Sequence, residues 1–142
     1  MGTRSTIALE FADGTVEQIY CHWDGYLEHN GKILAEHYSD PFKLRDLIDL
    51  GDMSSLAPEI GTQHSFDKPV EGQCTFYKRD RNESGVESKK FKDFNDYKAN
   101  HQFEEYEYIL RNVEGKATWF VAEHSNRYIP LEVAMESTKE EA

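Results

Sequence analysis

Residues 20–26 have the sequence YCHWDGY, and we predict the fold of the chain around this stretch. It ends a β-strand, reverses direction at an Asp-Gly pair and leads into a helix, because Asp-Gly is a preferred turn dipeptide. The same few residues bring together aromatic rings, a carboxylate, an imidazole and a thiol. The stretch is therefore both the predicted pivot of the fold and the first place to look for a site.

Working outward, the residues before this turn predict a β-hairpin with strands over 6–11 and 16–22. The Asp13-Gly14 pair between the strands favours a tight hairpin connection. Counting back from a turn centred between Asp13 and Gly14 sets Arg4 opposite Trp23. We therefore expect Arg4 either to pair with Asp24 or to stack on the indole ring of Trp23.

The residues after the turn predict two consecutive helices, over 26–38 and 41–50. Asp40 is a good N-cap, Pro41 suits the first helical position, and Gly51 ends the second helix. Phe42, with the leucines and isoleucine that follow, gives this helix its predicted apolar face. Gly31 interrupts the first helix, which indicates either close packing there or a helix that begins only after it.

The rest of the chain predicts further short strands, a single short helix and long connections. The expected segments are a loop over 52–72 with a helical turn at 54–56, a strand over 73–79, a polar loop over 79–85, a basic strand or loop over 89–92, a short helix capped by Asp93, a second hairpin over 103–110 and 116–124, and an edge strand over 128–133. The predicted fold class is α+β, with a mainly antiparallel sheet and two consecutive helices after the first hairpin. We assign residues 1–135 to one domain and 136–142 to an acidic tail.

Composition excludes several classes of function. The chain has 142 residues, a formal net charge of −11 and 13% aromatic residues, so it can bury a core but lacks the cationic surplus of a nucleic-acid binder. No apolar run is long enough to span a membrane and no signal peptide is evident, so a cytoplasmic location is expected. Cys21 and Cys74 are expected to be buried small side chains. The sequence implies no cofactor and leaves a homo-oligomer open.

The candidate site is a ligand-binding corner near the turn. An arginine there can meet a phosphate or carboxylate while an aromatic ring stacks on a planar ligand. A structural clasp that closes the open end of the hairpin remains the alternative interpretation. The candidate ligand-binding residues are Arg4, Trp23, Asp24 and Tyr26, with Arg79 and Arg81 closing over the ligand.

Catalytic and metal-binding interpretations are weaker. Cys21 and His22 are adjacent on a strand and point to opposite faces, so this histidine cannot activate this thiol. A distant histidine (His64, His101 or His124) could do so, and Asp24 could act as a base, but ordinary turn chemistry also explains Asp24. The remaining histidines lack the spacing of a helical zinc pair, and we predict neither catalytic residues nor a metal site.

The motifs Gly2-Thr3-Arg4 and Trp23-Asp24-Gly25-Tyr26 resemble those of a family of small uncharacterised proteins of bacteria and bacteriophages. The resemblance covers about the first 50 residues, and Leu27 stands where a proline often follows the tyrosine in that family. It implies a phage or prophage origin and transfers no residue role. The resulting hypothesis is a non-enzymatic phage-type accessory protein that counters host defence by binding a small anionic, nucleotide-like ligand. Alternatives are an acidic inhibitor that binds a host protein or mimics nucleic acid, and a small hydrolase.

Overall fold

The structure, a computed structural model, describes residues 3–100, 105–123 and 127–141, with side chains in the last segment through Glu136. The strands are β1 (Ser5–Glu10), β2 (Val16–Cys21), β3 (Met53–Ser55), β4 (Thr75–Phe76), β5 (Lys89–Phe91), β6 (Tyr106–Val113), β7 (Lys116–Glu123) and β8 (Ile129–Pro130). The helices are α1 (Lys32–His37), α2 (Pro41–Asp49), α3 (Tyr77–Arg81), α4 (Phe94–Asn100) and α5 (Leu131–Glu141). The α+β fold class predicted from the sequence is confirmed.

The sheet is mixed rather than purely antiparallel. Its strand order is β4-β3-β2-β1-β6-β7-β8, and β5 also pairs with β2. The predicted hairpins β1–β2 and β6–β7 are antiparallel, whereas β1 runs parallel to β6 and β2 runs parallel to β3. The two hairpins are thus joined through a parallel pair at the centre of the sheet.

The first hairpin forms where predicted, but its register differs by one residue from the expected one. Ser5 pairs with Cys21, so continuing the ladder sets Arg4 opposite His22 and not opposite Trp23. The reason is the connection between the strands, since Phe11 donates its N–H to Thr15 O at 2.8 Å and leaves three residues in the loop. Gly14, with a φ of +92°, adopts the left-handed conformation that closes such a loop.

The turn after β2 leads into a π-helical turn over Leu27–Gly31, which continues directly into α1. Both interpretations of Gly31 are therefore correct: the α-helix begins after it, and a Cβ there would lie 3.3 Å from Tyr108 Oη. Helix α2 begins as predicted, with the Asp40 carboxylate accepting from Phe42 N at 3.0 Å. Phe42 itself was wrongly assigned to the buried face, since its side chain is 70% exposed.

Three further segments differ from the prediction. Residues 54–56 do not form a helical turn, because Met53–Ser55 pairs with β2 and β4. The strand expected over 73–79 is limited to Thr75–Phe76 and is followed at once by α3. The strand expected over 128–133 ends at Pro130, and α5 follows it, with residues 136–141 in its C-terminal part.

Helices cover both faces of the sheet. The larger core packs α1, α2 and α5 against one face and includes Leu34, Leu47 and Leu131. The smaller core packs α4 against the other face, with Tyr97 at its centre. No helix in the described part of the chain is long and apolar enough to cross a membrane.

Candidate functional site

The buried side-chain amide of Asn30 holds the turn after β2 from its interior side. Asn30 is fully buried, and its Nδ2 lies 3.3 Å from both Ser5 Oγ and Trp23 O and 3.4 Å from Cys21 Sγ. Its backbone N–H donates to Asp24 O at 3.2 Å. The first residue of β1, the end of β2 and the turn are therefore tied to the π-helical turn at a single point.

Close packing of Gly25 fixes the turn against the open end of β1. Gly25 donates its N–H to Thr3 O at 2.7 Å, and its carbonyl accepts from Tyr108 Oη at 2.6 Å. A Cβ on Gly25 would lie 2.7 Å from Ser5 Cβ, so glycine is required for close approach. Asp24 has a φ of +57°, a conformation that Asp tolerates better than most residues, which supports its interpretation as a turn residue.

We call four residues at this turn the aromatic corner: Arg4, His22, Trp23 and Tyr26. Trp23 is 43% exposed and Tyr26 is 37% exposed, although both belong to a turn that is hydrogen-bonded to the segment before β1, to β6 and to Asn30. The His22 ring meets the Trp23 ring edge-on at 4.8 Å, and its Nδ1 is hydrogen-bonded to Tyr20 Oη at 2.7 Å. The sequence did not reveal the Tyr20–His22 pair, although residues i and i+2 of a strand share a face.

Arg4 is the cation of the aromatic corner. Its backbone lies against Gly25 and its carbonyl accepts from Tyr106 N, while its side chain is exposed. The expected Arg4–Asp24 ion pair and Arg4–Trp23 stack are both absent from the described residues, where no carboxylate pairs with Arg4. The one-residue difference in register explains why neither contact forms, because the hairpin places Arg4 opposite His22 instead of opposite Trp23.

The Arg79 side chain takes part in a hydrogen-bond network of the loop before β4 and does not belong to the aromatic corner. Its guanidinium donates to the carbonyls of Ile60, Gly61 and Cys74 at 2.8–3.2 Å, and to the Asp80 carboxylate at 3.0–3.2 Å. Its side chain is only 12% exposed. A ligand would have to displace these bonds to reach Arg79, so its role as a ligand clamp gains no support from the geometry.

Asp80 completes the same network. Its side chain is fully buried and accepts from His64 N at 3.0 Å and from Phe76 N at 2.8 Å. Burial opposes ionisation of this carboxyl, yet the hydrogen bonds from Arg79, Phe76 and His64 hold its pKa below the usual value. The Phe76 N–H that it accepts belongs to the N-cap of α3, the residue at which β4 ends.

Arg81 and Asp24 also contact other parts of the protein and do not interact with Arg4. The Arg81 guanidinium lies over the Phe66 ring at 5.0 Å, on the same loop network. Asp24 lines a groove of about 470 Å³ together with His29 and Glu71. Two carboxylates in one groove disfavour an anionic ligand there, so the predicted residues divide between three separate places.

A hydrolase built on a cysteine would need a reactive thiol, and both thiols are buried. Burial raises the pKa of Cys21 to about 12 and also raises the pKa of Cys74. Such thiols stay protonated and are poor nucleophiles at neutral pH. His101 and His124 lie outside the described residues, and His64 bonds to Thr62 O and Thr75 Oγ1. Within 3–100, 105–123 and 127–141, no His, Cys, Asp and Glu side chains are grouped as metal ligands.

The second face of the sheet buries a polar cluster that sequence analysis missed. Thr6 pairs with Glu107 across the parallel strands, and both side chains are buried, as is Gln18 on β2. Tyr97 of α4 covers them, and burial raises the pKa of Tyr97 and Tyr128. Polar residues at alternate strand positions normally indicate a solvated face, and only the position of α4 makes this one internal.

Comparison with known proteins adds no relative. No family model, no curated protein and no solved structure matches this chain. The interpretation of its function therefore rests on the geometry above and on the motif resemblance.

Proposed function

We propose that the protein is a non-catalytic binding protein that recognises a small, planar, anionic ligand of nucleotide type at the aromatic corner. The observation that carries this proposal is the exposure of Trp23 and Tyr26 on a turn that hydrogen bonds of Asn30, Gly25 and Tyr108 join to the rest of the fold. Large exposed aromatic side chains on a fixed backbone bind planar groups with little loss of conformational entropy.

The charge of the corner favours an anion. Arg4 is exposed beside this turn and has no carboxylate partner within the described part of the chain, in a protein of net charge −11. A phosphate or carboxylate would supply the missing partner, and Arg binds such groups through paired N–H donors. The His22 ring, which meets the Trp23 ring edge-on, would fix the orientation of the indole.

The biological role that we attach to this binding is that of a phage-type accessory protein in the host cytoplasm. By binding a nucleotide-like molecule, or a host protein that carries one, it would block a host defence pathway. This role follows the resemblance of the Gly2-Thr3-Arg4 and Trp23-Asp24-Gly25-Tyr26 motifs. The acidic mimic of nucleic acid remains the second candidate, and net charge is its support.

Tryptophan fluorescence tests the binding proposal directly, because Trp23 is exposed while Trp119 is only 6% exposed. We expect AMP and ATP to quench the Trp23 emission saturably and a Trp23→Phe variant to lose the signal. Arg4→Ala should weaken binding by about tenfold or more, as expected for a lost charge-assisted contact. Lys116→Ala, which removes an exposed cation at the far tip of the β6–β7 hairpin, is the matched control. Equal affinity for wild type and Arg4→Ala would overturn the proposal.

A further inference from the structure

A second groove lies at the opposite end of the β1–β2 hairpin from the aromatic corner. It runs between the first turns of α2 and the tips of the β1–β2 and β6–β7 hairpins, and we call it the Phe42 groove. Its volume is about 490 Å³, within the range of roughly 300–1,000 Å³ typical of small-molecule sites. Its apolar lining includes Leu9, Phe11, Phe42 and Leu110.

Phe42 is the unusual residue of this groove. It is 70% exposed, more than any other large hydrophobic side chain in the described part of the chain, although it stands in the first turn of a capped helix. Exposure of an aromatic ring at this position costs solvation free energy that a polar residue would avoid. A ligand in the groove would cover this ring.

The rim of the groove carries one positive charge without a matching negative one. Arg111 is paired with Glu10 at 3.2 Å, so these two charges compensate each other. The Arg45 guanidinium instead lies over the Phe42 ring, 5.6 Å from its centroid, and has no carboxylate partner among the described residues. The groove therefore offers an apolar floor, an aromatic wall and one available cation.

From this combination we propose that the Phe42 groove binds an apolar small molecule with a single anionic head group, such as an aromatic carboxylate. The apolar body would lie on Leu9, Phe11 and Leu110 and against the Phe42 ring. Its carboxylate would meet Arg45, which can bind it through two parallel N–H donors. Charge complementarity selects this class over cationic or neutral molecules of the same shape. The proposal is independent of the aromatic corner, which has none of its residues in this groove.

Isothermal titration calorimetry with 2-naphthoate tests the proposal, and 2-naphthamide serves as the uncharged ligand of nearly the same shape. We expect saturable binding of naphthoate by the full chain, with at least about tenfold lower affinity for the amide. Arg45→Gln should remove the preference for naphthoate, while Phe42→Ala should weaken the binding of both compounds. Both side chains are exposed, so these variants are expected to fold.

Arg4→Ala is the matched control, because it alters the aromatic corner and leaves the Phe42 groove intact. Naphthoate is itself a planar anion that suits the aromatic corner, so Arg45→Gln and Phe42→Ala are also compared in the Arg4→Ala background. There the Phe42 groove should still bind naphthoate and lose it with the groove variants, which separates failure of this proposal from failure of the proposed function. Absence of saturable naphthoate binding would overturn the proposal. Equal affinities for naphthoate and naphthamide, or unchanged naphthoate binding by both groove variants, would overturn it as well.

Discussion

At the scale of the residue, Asn30 does more to shape the aromatic corner than any residue that faces solvent there. Its amide reaches Ser5, Cys21 and Trp23, while His29 Nδ1 donates to its Oδ1 at 2.9 Å. The position of Trp23 is therefore set by a side chain seven residues away along the chain. The sequence predicts the turn from Asp24-Gly25 but does not predict this contact, because a lone Asn next to Gly31 equally indicates an ordinary turn.

We predict that Asn30→Ala lowers the free energy of unfolding by about 1–3 kcal/mol, since it leaves buried polar groups without their donor. Urea denaturation of both proteins measures this difference. Glu28→Ala, which changes an exposed residue of the same π-helical turn, should stay within about 0.5 kcal/mol of wild type. An Asn30→Ala protein as stable as Glu28→Ala would show that the amide does not hold the turn.

The Cys21 thiol should make stability fall at alkaline pH. Its pKa is about 12 in the folded protein against 9.0 as the reference value, so the folded state keeps a proton that the unfolded state loses. Unfolding then releases a proton above pH 9.0, and stability falls by up to about 1.4 kcal/mol per pH unit from this group.

Urea denaturation from neutral pH to about pH 10.5, covering the range where Cys, Tyr and Lys titrate, measures this slope. A Cys21→Ala variant should show a shallower decline than wild type, whereas the buried tyrosines contribute equally to both proteins. Parallel pH profiles for the two proteins would contradict a buried, protonated Cys21.

At the scale of the element, the long connection between β3 and β4 is organised by Arg79 and Asp80. The sequence predicts a loop over 52–72. It does not predict that Arg79 and Asp80 hold this loop in place, because their partners are mostly backbone groups. The alternation of Cys74 and Phe76 with Thr75 and Tyr77 correctly indicates a strand. Its length was wrong, since Phe76 is the N-cap of α3 and the Asp80 carboxylate of that helix accepts its N–H.

We predict that Asp80→Asn loosens this connection without unfolding the sheet. Hydrogen bonds to a charged group contribute about 1.5–3 kcal/mol, so amide exchange at His64 and Phe76 should accelerate by about tenfold or more. Exchange along β6 and β7 should not change. The exposed Asp67 of the same connection provides the control variant Asp67→Asn, which should exchange like wild type.

The pH dependence of the wild-type protein gives a second check on the same network. The Asp80 pKa is lowered in the folded state, so its contribution is present above its ordinary value of 3.8 and is lost as pH falls through the folded pKa. Protection of the His64 and Phe76 amides should therefore decrease under acid conditions in wild type and stay nearly constant in Asp80→Asn. Identical acid profiles would contradict an ionised Asp80 in the loop network.

At the scale of the whole molecule, local sequence signals predict the two hairpins and α2. The feature that they do not predict is the parallel pairing of strands far apart in the chain. The Asp13-Gly14 pair and the Asp40 cap act over a few residues, and they correctly predict the place of the hairpin and the start of α2, although the register of the hairpin was wrong by one residue. The parallel pairing of Ser5 with Tyr106 joins segments separated by most of the chain, and no local pattern encodes it. Glu107 belongs to the same parallel pair, and its burial follows from the packing of α4 over that face.

The aromatic corner shows the same division between local and long-range effects. Trp23 and Tyr26 follow from the turn motif, and their exposure keeps them available. The position of Arg4 depends on hairpin register, where one residue decides which side chain it faces. Arg79 and Arg81 could be assigned only once the loop that they fasten was visible.

Native mass spectrometry of the protein purified from a bacterial host is the measurement that tests the central claim most directly. We predict that wild type carries a small anionic molecule with nucleotide-like ultraviolet absorption, and that an Arg4→Ala Trp23→Ala double variant is recovered without it. A Phe42→Ala Arg45→Gln variant should retain that molecule. Recovery of the same adduct on the Arg4→Ala Trp23→Ala protein, or of a bare wild-type mass together with no response to AMP or ATP, would contradict binding at the aromatic corner.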